Sequence, residues 1–143
     1  MKIGVPKEIK PQENRIGLTP ESVKTLIGEG HEVLVENNGG FEAGFDNDQY
    51  TKAGAKIVKT AGDIFNDADI IVKVKEPQKV EVDMLRENQM LYTYLHLAAA
   101  KELTEGLIKS KSVNIAYETV TDDNGRLPLL APMSAVAGRM SVQ

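Results

Sequence analysis

A chain of 143 residues is about one domain's worth of polymer, and its 41% hydrophobic and 27% charged residues lie near globular averages, which argues against intrinsic disorder. Seventeen basic against 21 acidic residues give a net charge of −4 with no basic tract, which disfavours a general nucleic-acid surface. With no cysteine, a disulfide scaffold, thiolate-held metals and a thiol nucleophile are excluded, and His31 and His96 stand too far apart to form a metal-spaced pair.

In chain order, residues 1–5 read as a strand. The strongest helical signature covers 19–28. Thr19 is an N-cap type, Pro20 occupies the first helical position, and Glu21 suits the positive end of the dipole. Leu18 and Val23 are placed for a hydrophobic staple, Val23, Leu26 and Ile27 form the apolar stripe, and Gly28 or Gly30 ends it. Residues 31–35 form a second predicted strand, 46–53 a short capped helix ending near Gly54, 56–58 a brief strand and 60–66 a helix. Residues 69–74 (DIIVKV) read as a buried strand, 80–86 as a helix after Pro77, 90–95 as a strand, 101–110 as a helix and 113–117 as a strand.

Strands alternating with helices predict an α/β fold: a Rossmann-like open, mainly parallel sheet with helices on both faces. The tail breaks the pattern. Asn124-Gly125 is a favoured type I′ pair, so a C-terminal hairpin is expected, with 127–130 returning as an edge strand because of Pro128. After Pro132, residues Met133, Val136, Ala137 and Met140 recur at helical spacing over 133–143. That helix has a start signal and no stop signal. Both a frayed end and a helix running on into a further domain fit it. The opening MKIGVPKEIK has no apolar core of a secretory signal, and no apolar run approaches the ~18 residues that span a bilayer, so a cytoplasmic protein without a membrane partner is expected.

In an open parallel sheet, ligands bind beyond the carboxyl ends of the strands. Arg15 lies in the polar loop after the first strand, Lys75 follows DIIVKV, His96 follows 90–95, and Glu118 follows 113–117. Each also admits a structural explanation: a solvated loop charge for Arg15, a polar strand end for Lys75 alternating with a water-facing Lys73, a hydrogen-bonded structural histidine, a local cap for Glu118. If they act together, a guanidinium, an ammonium and an imidazole suit a small anionic substrate, with chemistry at the α-carbon of a 2-oxo or 2-amino acid. No G-x-G-x-x-G follows a strand, and no P-loop or G-x-S-x-G occurs.

The stretch MKIGVPKEIKPQENRIGLTPESVKTLIGEGHEVLVE, and then GAGFDNDQYTKAGA, IIVKVKEP, LYTYLHLAAAKELTEGLI, AYETV and LPLLAPMSAVAGRMSVQ, resemble alanine dehydrogenases across essentially the whole chain. The wider family includes the N-terminal part of nicotinamide-nucleotide transhydrogenases. The resemblance implies reversible NAD-dependent oxidative deamination of L-alanine to pyruvate and ammonia. It implies that Arg15 binds the substrate carboxylate, Lys75 also binds substrate, and His96 is the catalytic acid/base. Ser134, with Met133 beside it, would touch the nicotinamide nucleotide, and Glu118 would have a supporting role. No metal is implied. Members of the family continue into a Rossmann domain with a glycine-rich fingerprint and a catalytic aspartate, and they assemble as homo-oligomers, typically hexamers. The expected division is therefore 1–132 as substrate-side catalytic domain and 133–143 as the start of a helix leading to an absent NAD-binding domain, with little activity alone. A transhydrogenase-type nucleotide-binding subunit domain, or a non-catalytic binding domain, are the alternative readings.

Overall fold

A computed structural model of the chain describes residues 1–142. The strands are β1 (Lys2–Val5), β2 (Glu32–Glu36), β3 (Lys56–Val58), β4 (Ile70–Val72), β5 (Met90–Thr93) and β6 (Val113–Ala116). The helices are α1 (Pro20–Gly28), α2 (Asn47–Lys52), α3 (Ala61–Asp67), α4 (Lys79–Val82), α5 (Lys101–Ser110) and α6 (Ala131–Met140). The six strands form one sheet in the order β3-β2-β1-β4-β5-β6, and every pairing is parallel. The chain runs outward from β1 to β3, returns to place β4 beside β1, and runs outward the other way. The point of reversal lies between β1 and β4, where open α/β sheets offer a crevice at their carboxyl ends.

Local chemistry explains the early elements. Thr19 caps α1 by accepting the Ser22 N–H at 3.3 Å, and Leu18 and Val23 pack in one cluster as the staple requires. Asp46 and Gln49 close a capping box on α2, and Thr60 and Asp63 another on α3. Alternation along the strands sorts the core into two layers. Ile3, Val5, Val33, Val35 and Val72 meet α1 and α2 on one face through Val23 and Tyr50. Leu34, Ile71 and Leu91 meet α3 and α5 on the other through Ile64, Phe65 and Leu107. Gly4 faces the second layer, where any Cβ would collide with Ile64 and Ala68, so its bare backbone lets α3 settle onto the sheet.

The α1 face is covered only over part of the sheet. Tyr92 pairs in register with Ile115, and Met90 with Val113. Val113 and Ile115 are exposed there, whereas Ala116 joins the opposite layer. This uncovered half-face, flanked by α6, is where the cavity described below lies.

The tail departs from expectation. The 122–126 turn is closed by the Asp122 N–H on the Arg126 carbonyl at 2.9 Å, and the Asp122 carboxylate takes the N–H groups of Asn124 and Arg126. Only Gly125 of the Asn-Gly pair has positive φ, so the turn is not type I′. An aspartate side chain organises it instead, and no flanking strands pair. Residues 127–130 coil straight into α6, with the Leu130 and Ala131 N–H groups on the Leu127 carbonyl, so the expected edge strand is absent. The helix begins at Ala131 with Pro132 in its first turn, which moves its start ahead of the expected boundary at 132/133. The end of that expected helix, Gln143, lies outside the described residues. Of the residues expected as helix over 80–86 only 80–82 lie in α4, after which a Leu85 N–H to Val82 carbonyl bond tightens the chain. Among the described residues no helix is long and apolar enough to cross a membrane, and no cluster of three metal-ligating side chains forms.

Candidate active site

Three adjacent strands, β1, β4 and β5, deliver Arg15, Lys75 and His96 from their carboxyl ends. The Arg15 loop is pressed against the end of β4, because Gly17 sits where a Cβ would lie 2.6 Å from the Val72 carbonyl oxygen. Beyond β4, every main-chain group of residues 73–75 is held. The Lys73 N–H donates to the Tyr92 carbonyl and the Tyr94 N–H to the Val74 carbonyl. The Tyr117 hydroxyl donates to the Lys73 carbonyl at 2.7 Å, and the Thr93 hydroxyl to the Lys75 carbonyl at 2.8 Å. The N–H groups of Val74 and Lys75 both donate to Glu8 Oε1.

Lys73 is not the water-facing residue that alternation suggests. It is fully buried, and its Nζ lies 2.9 Å from Glu8 and 2.7 Å from Glu81. The strand ends at Val72, so the period of two no longer governs Lys73, and two carboxylates make an interior ammonium tolerable. Glu81 is in turn fixed by accepting the Gln78 N–H at 2.7 Å, and burial pushes its carboxyl above the usual range. The cluster is tied to Lys75 through Glu8, which accepts the Lys75 main-chain N–H at 3.3 Å. The Lys75 Nζ itself has no ion pair among the described residues.

Arg15 is gripped from within its own loop. Its Nε and Nη2 donate to the two oxygens of Glu13 at 2.7 and 2.6 Å, and its main-chain N–H donates to Glu13 Oε1 at 2.9 Å. The guanidinium holds the Glu13 carboxyl down at about 2, and the Lys75 charge adds to the effect. Arg15 Nη1 reaches the Met133 sulfur at 3.5 Å. Both residues line a cavity of about 470 Å³ together with Val74, Tyr92, Tyr94 and Tyr117.

His96 adopts the left-handed conformation, φ 49°, which is uncommon outside glycine. Glu118 holds it there: the carboxylate accepts the N–H of Leu95 at 3.0 Å and of His96 at 2.9 Å. The exposed imidazole stacks on Tyr94, with ring centroids 6.1 Å apart and planes 17° apart. The Tyr94 hydroxyl is committed to the Leu129 carbonyl at 2.6 Å, which fixes the ring that lines the cavity and that His96 stacks on. Tyr117 packs edge-on against Tyr94, and burial raises its hydroxyl well above the ordinary phenol range.

Arg15 and Met133 thus share one cavity wall. His96 lies one ring away, and Lys75 follows a residue that lines the cavity. Ser134 is exposed on α6 beside Met133. Glu8, Glu13, Glu81, Tyr94 and Tyr117 went unread in the sequence. For Glu8 and Glu13 a signal existed, since both are carboxylates in the same strand-end loop as Arg15. A larger cavity, about 700 Å³ between α4 and α5, holds none of these candidates and is lined by Val82, Leu103, Gly106 and Lys109 among others.

Comparison with known proteins shows the family of the chain. A family described as "Alanine dehydrogenase/PNT, N-terminal domain" matches residues 4–137. The chain is 52% identical over all its 143 residues to an alanine dehydrogenase of Staphylococcus epidermidis and 54% identical over 144 aligned residues to that of Geobacillus stearothermophilus. It spans 38% of the length of each. A solved L-alanine dehydrogenase structure superposes on the whole chain with a TM-score of 0.95 at 54% identity, the chain covering 39% of it. A transhydrogenase from Sinorhizobium meliloti matches 82% of the chain at 29% identity with a TM-score of 0.78, over 35% of its own length. The chain belongs to the alanine dehydrogenase/PNT N-terminal domain family.

Proposed function

We propose that this chain carries the substrate-binding half of an NAD-linked alanine-deaminating site, acting on L-alanine and pyruvate. The observation that supports it most is the wall shared by Arg15 and Met133, with His96 stacked on Tyr94 of the same wall and Lys75 without an ion pair among the described residues. Arg15 grips the carboxylate by a bidentate contact, and Lys75 fixes the carboxylate or the 2-oxo oxygen as a point charge. His96 moves a proton to or from the water or oxygen at the α-carbon. Its approach is set by Glu118, which locks the main chain at 95–96.

A nicotinamide, when bound, accepts the hydride that leaves the α-carbon. Met133 and Ser134 are the residues of this chain that would face it. Among the described residues, the glycines nearest the carboxyl ends of β1 and β2 have no room to cradle a pyrophosphate: Gly39 and Gly40 are packed under Glu36 and Tyr50, and Gly17 under Val72. Nucleotide binding therefore falls mainly to a partner domain of the kind its longer relatives have room for. The unit boundary expected near 132/133 falls inside the first turn of α6, and in this reading α6 is the connection to that domain. By the same reading the assembled protein is a homo-oligomer.

The test is a chimaera in which these 143 residues replace the matching segment of the Geobacillus stearothermophilus enzyme. Alanine-dependent NADH formation is expected, absent from the 143-residue chain alone. His96→Ala should lower turnover by ~10²–10⁴-fold. A loss confined to KM would instead make His96 a binding residue. A folded chimaera with no activity would overturn the reading.

A further inference from the structure

We infer that Glu13 is the positioning residue for Arg15: it holds one edge of the guanidinium and thereby presents the other edge as the fork for a small monocarboxylate. The inference rests on the reading of Arg15 as the carboxylate-binding residue. A guanidinium has two edges able to make a paired contact, Nε with Nη2 and Nη1 with Nη2. Glu13 occupies the first with both of its oxygens, at 2.7 and 2.6 Å. Both Nη1 protons and the second Nη2 proton are left for the second edge.

The clamp is itself fixed. Glu13 donates its N–H to the Lys10 carbonyl at 3.1 Å, and its Oε1 also takes the Arg15 N–H. Its side chain is 8% exposed against 43% for Arg15, so the acid is covered while the base keeps an open end. That open end points along the cavity wall, where Nη1 meets only a thioether sulfur, a weak acceptor that a carboxylate displaces readily. Glu13 also lies within the field of Lys75. One carboxylate therefore orients one of the two cations assigned to substrate and is drawn toward the other. It stays ionised across the physiological range, so the clamp does not open with pH.

The opposite arrangement is an internal competitor: Glu13 would occupy the place of the substrate carboxylate and be expelled by it. The two make opposite predictions for Glu13→Gln. The amide keeps the shape, but its NH₂ faces a guanidinium N–H and the paired contact is lost. If Glu13 positions Arg15, the E13Q chain binds pyruvate about 10-fold or more weakly than the unsubstituted chain, as expected for loss of a charge-assisted pair. If it competes, E13Q binds more tightly, which would overturn the inference, as would equal affinity.

The measurement is a pyruvate titration followed by ¹⁵N NMR, reading the Arg15 Nε–Hε signal in both proteins. Before any pyruvate is added, that signal should exchange slowly in the unsubstituted chain and fast in E13Q, with the other amide signals in place. Fast exchange in the unsubstituted chain alone would remove the clamp, whether or not E13Q folds. Failure of the unsubstituted chain to bind pyruvate, with a slowly exchanging Nε–Hε, would count against the reading of Arg15 and leave the clamp standing.

Discussion

The chain up to Leu107 and the chain from β6 onward are built on opposite principles. The first part buries charge: Glu8, Lys73 and Glu81 are all sequestered behind the carboxyl ends of β1 and β4. The second part exposes hydrocarbon. None of residues 113–142 is buried, although Val113, Ile115, Leu129, Met133, Val136 and Met140 are among them. The candidate site straddles the two. Arg15, Lys75 and His96 stand on the packed part: main-chain bonds hold residues 73–75, Glu13 holds Arg15, and Glu118 holds the N–H groups of Leu95 and His96. Met133 and Ser134 stand on the open part, in the first turn of α6, tied to the packed part by the Tyr94 hydroxyl on the Leu129 carbonyl and by the Arg15 contact to the Met133 sulfur. Precision is thus concentrated where the substrate is proposed to be gripped.

The comparison can be broken from the packed side first. Lys73→Met leaves two carboxylates buried together without their cation, and removing one partner of a buried ion cluster costs ~3–5 kcal/mol. Urea unfolding of the two proteins should show that loss. A cost below ~1 kcal/mol would mean that water reaches Glu8 and Glu81, and that the interior is not as sealed as described. The open side should respond far less. Val136→Ser on α6 removes a side chain that is already 53% exposed, so the change in stability should stay within ~0.5 kcal/mol. A cost of ~2 kcal/mol, measured at several protein concentrations, would show that α6 is covered by something in solution.

The two parts also differed in how far the sequence could be read. In the first, caps and periodicity act locally: Thr19, Asp46 and Thr60 mark their helices, and the alternation of strands with helices gives the parallel sheet. Arg15, Lys75 and His96 can be singled out because each lies in the segment that follows a strand. Lys73 was misjudged because its environment depends on Glu8, which lies 65 residues away, and no local pattern carries that pairing. Glu13 shares the strand-end loop with Arg15, which marks it as a carboxylate near a cation, but only the loop's shape shows that its two oxygens meet Nε and Nη2. In the second part, Asn124-Gly125 suggested a hairpin, but the Asp122 carboxylate competed for the same N–H groups and won. Pro128 was read as an edge-strand mark, when the chain was already turning into α6.

The central claim is that Arg15, Lys75 and His96 serve one small 2-oxo acid. The most direct test is a pyruvate titration of the 143-residue chain carrying ¹⁵N and ¹³C labels, following the side-chain signals of the three residues together. The account predicts saturable shifts at all three with one common dissociation constant, and none at Lys109 in the cavity between α4 and α5. A shift at Arg15 without His96 or Lys75, or different constants for the three, would contradict a shared site.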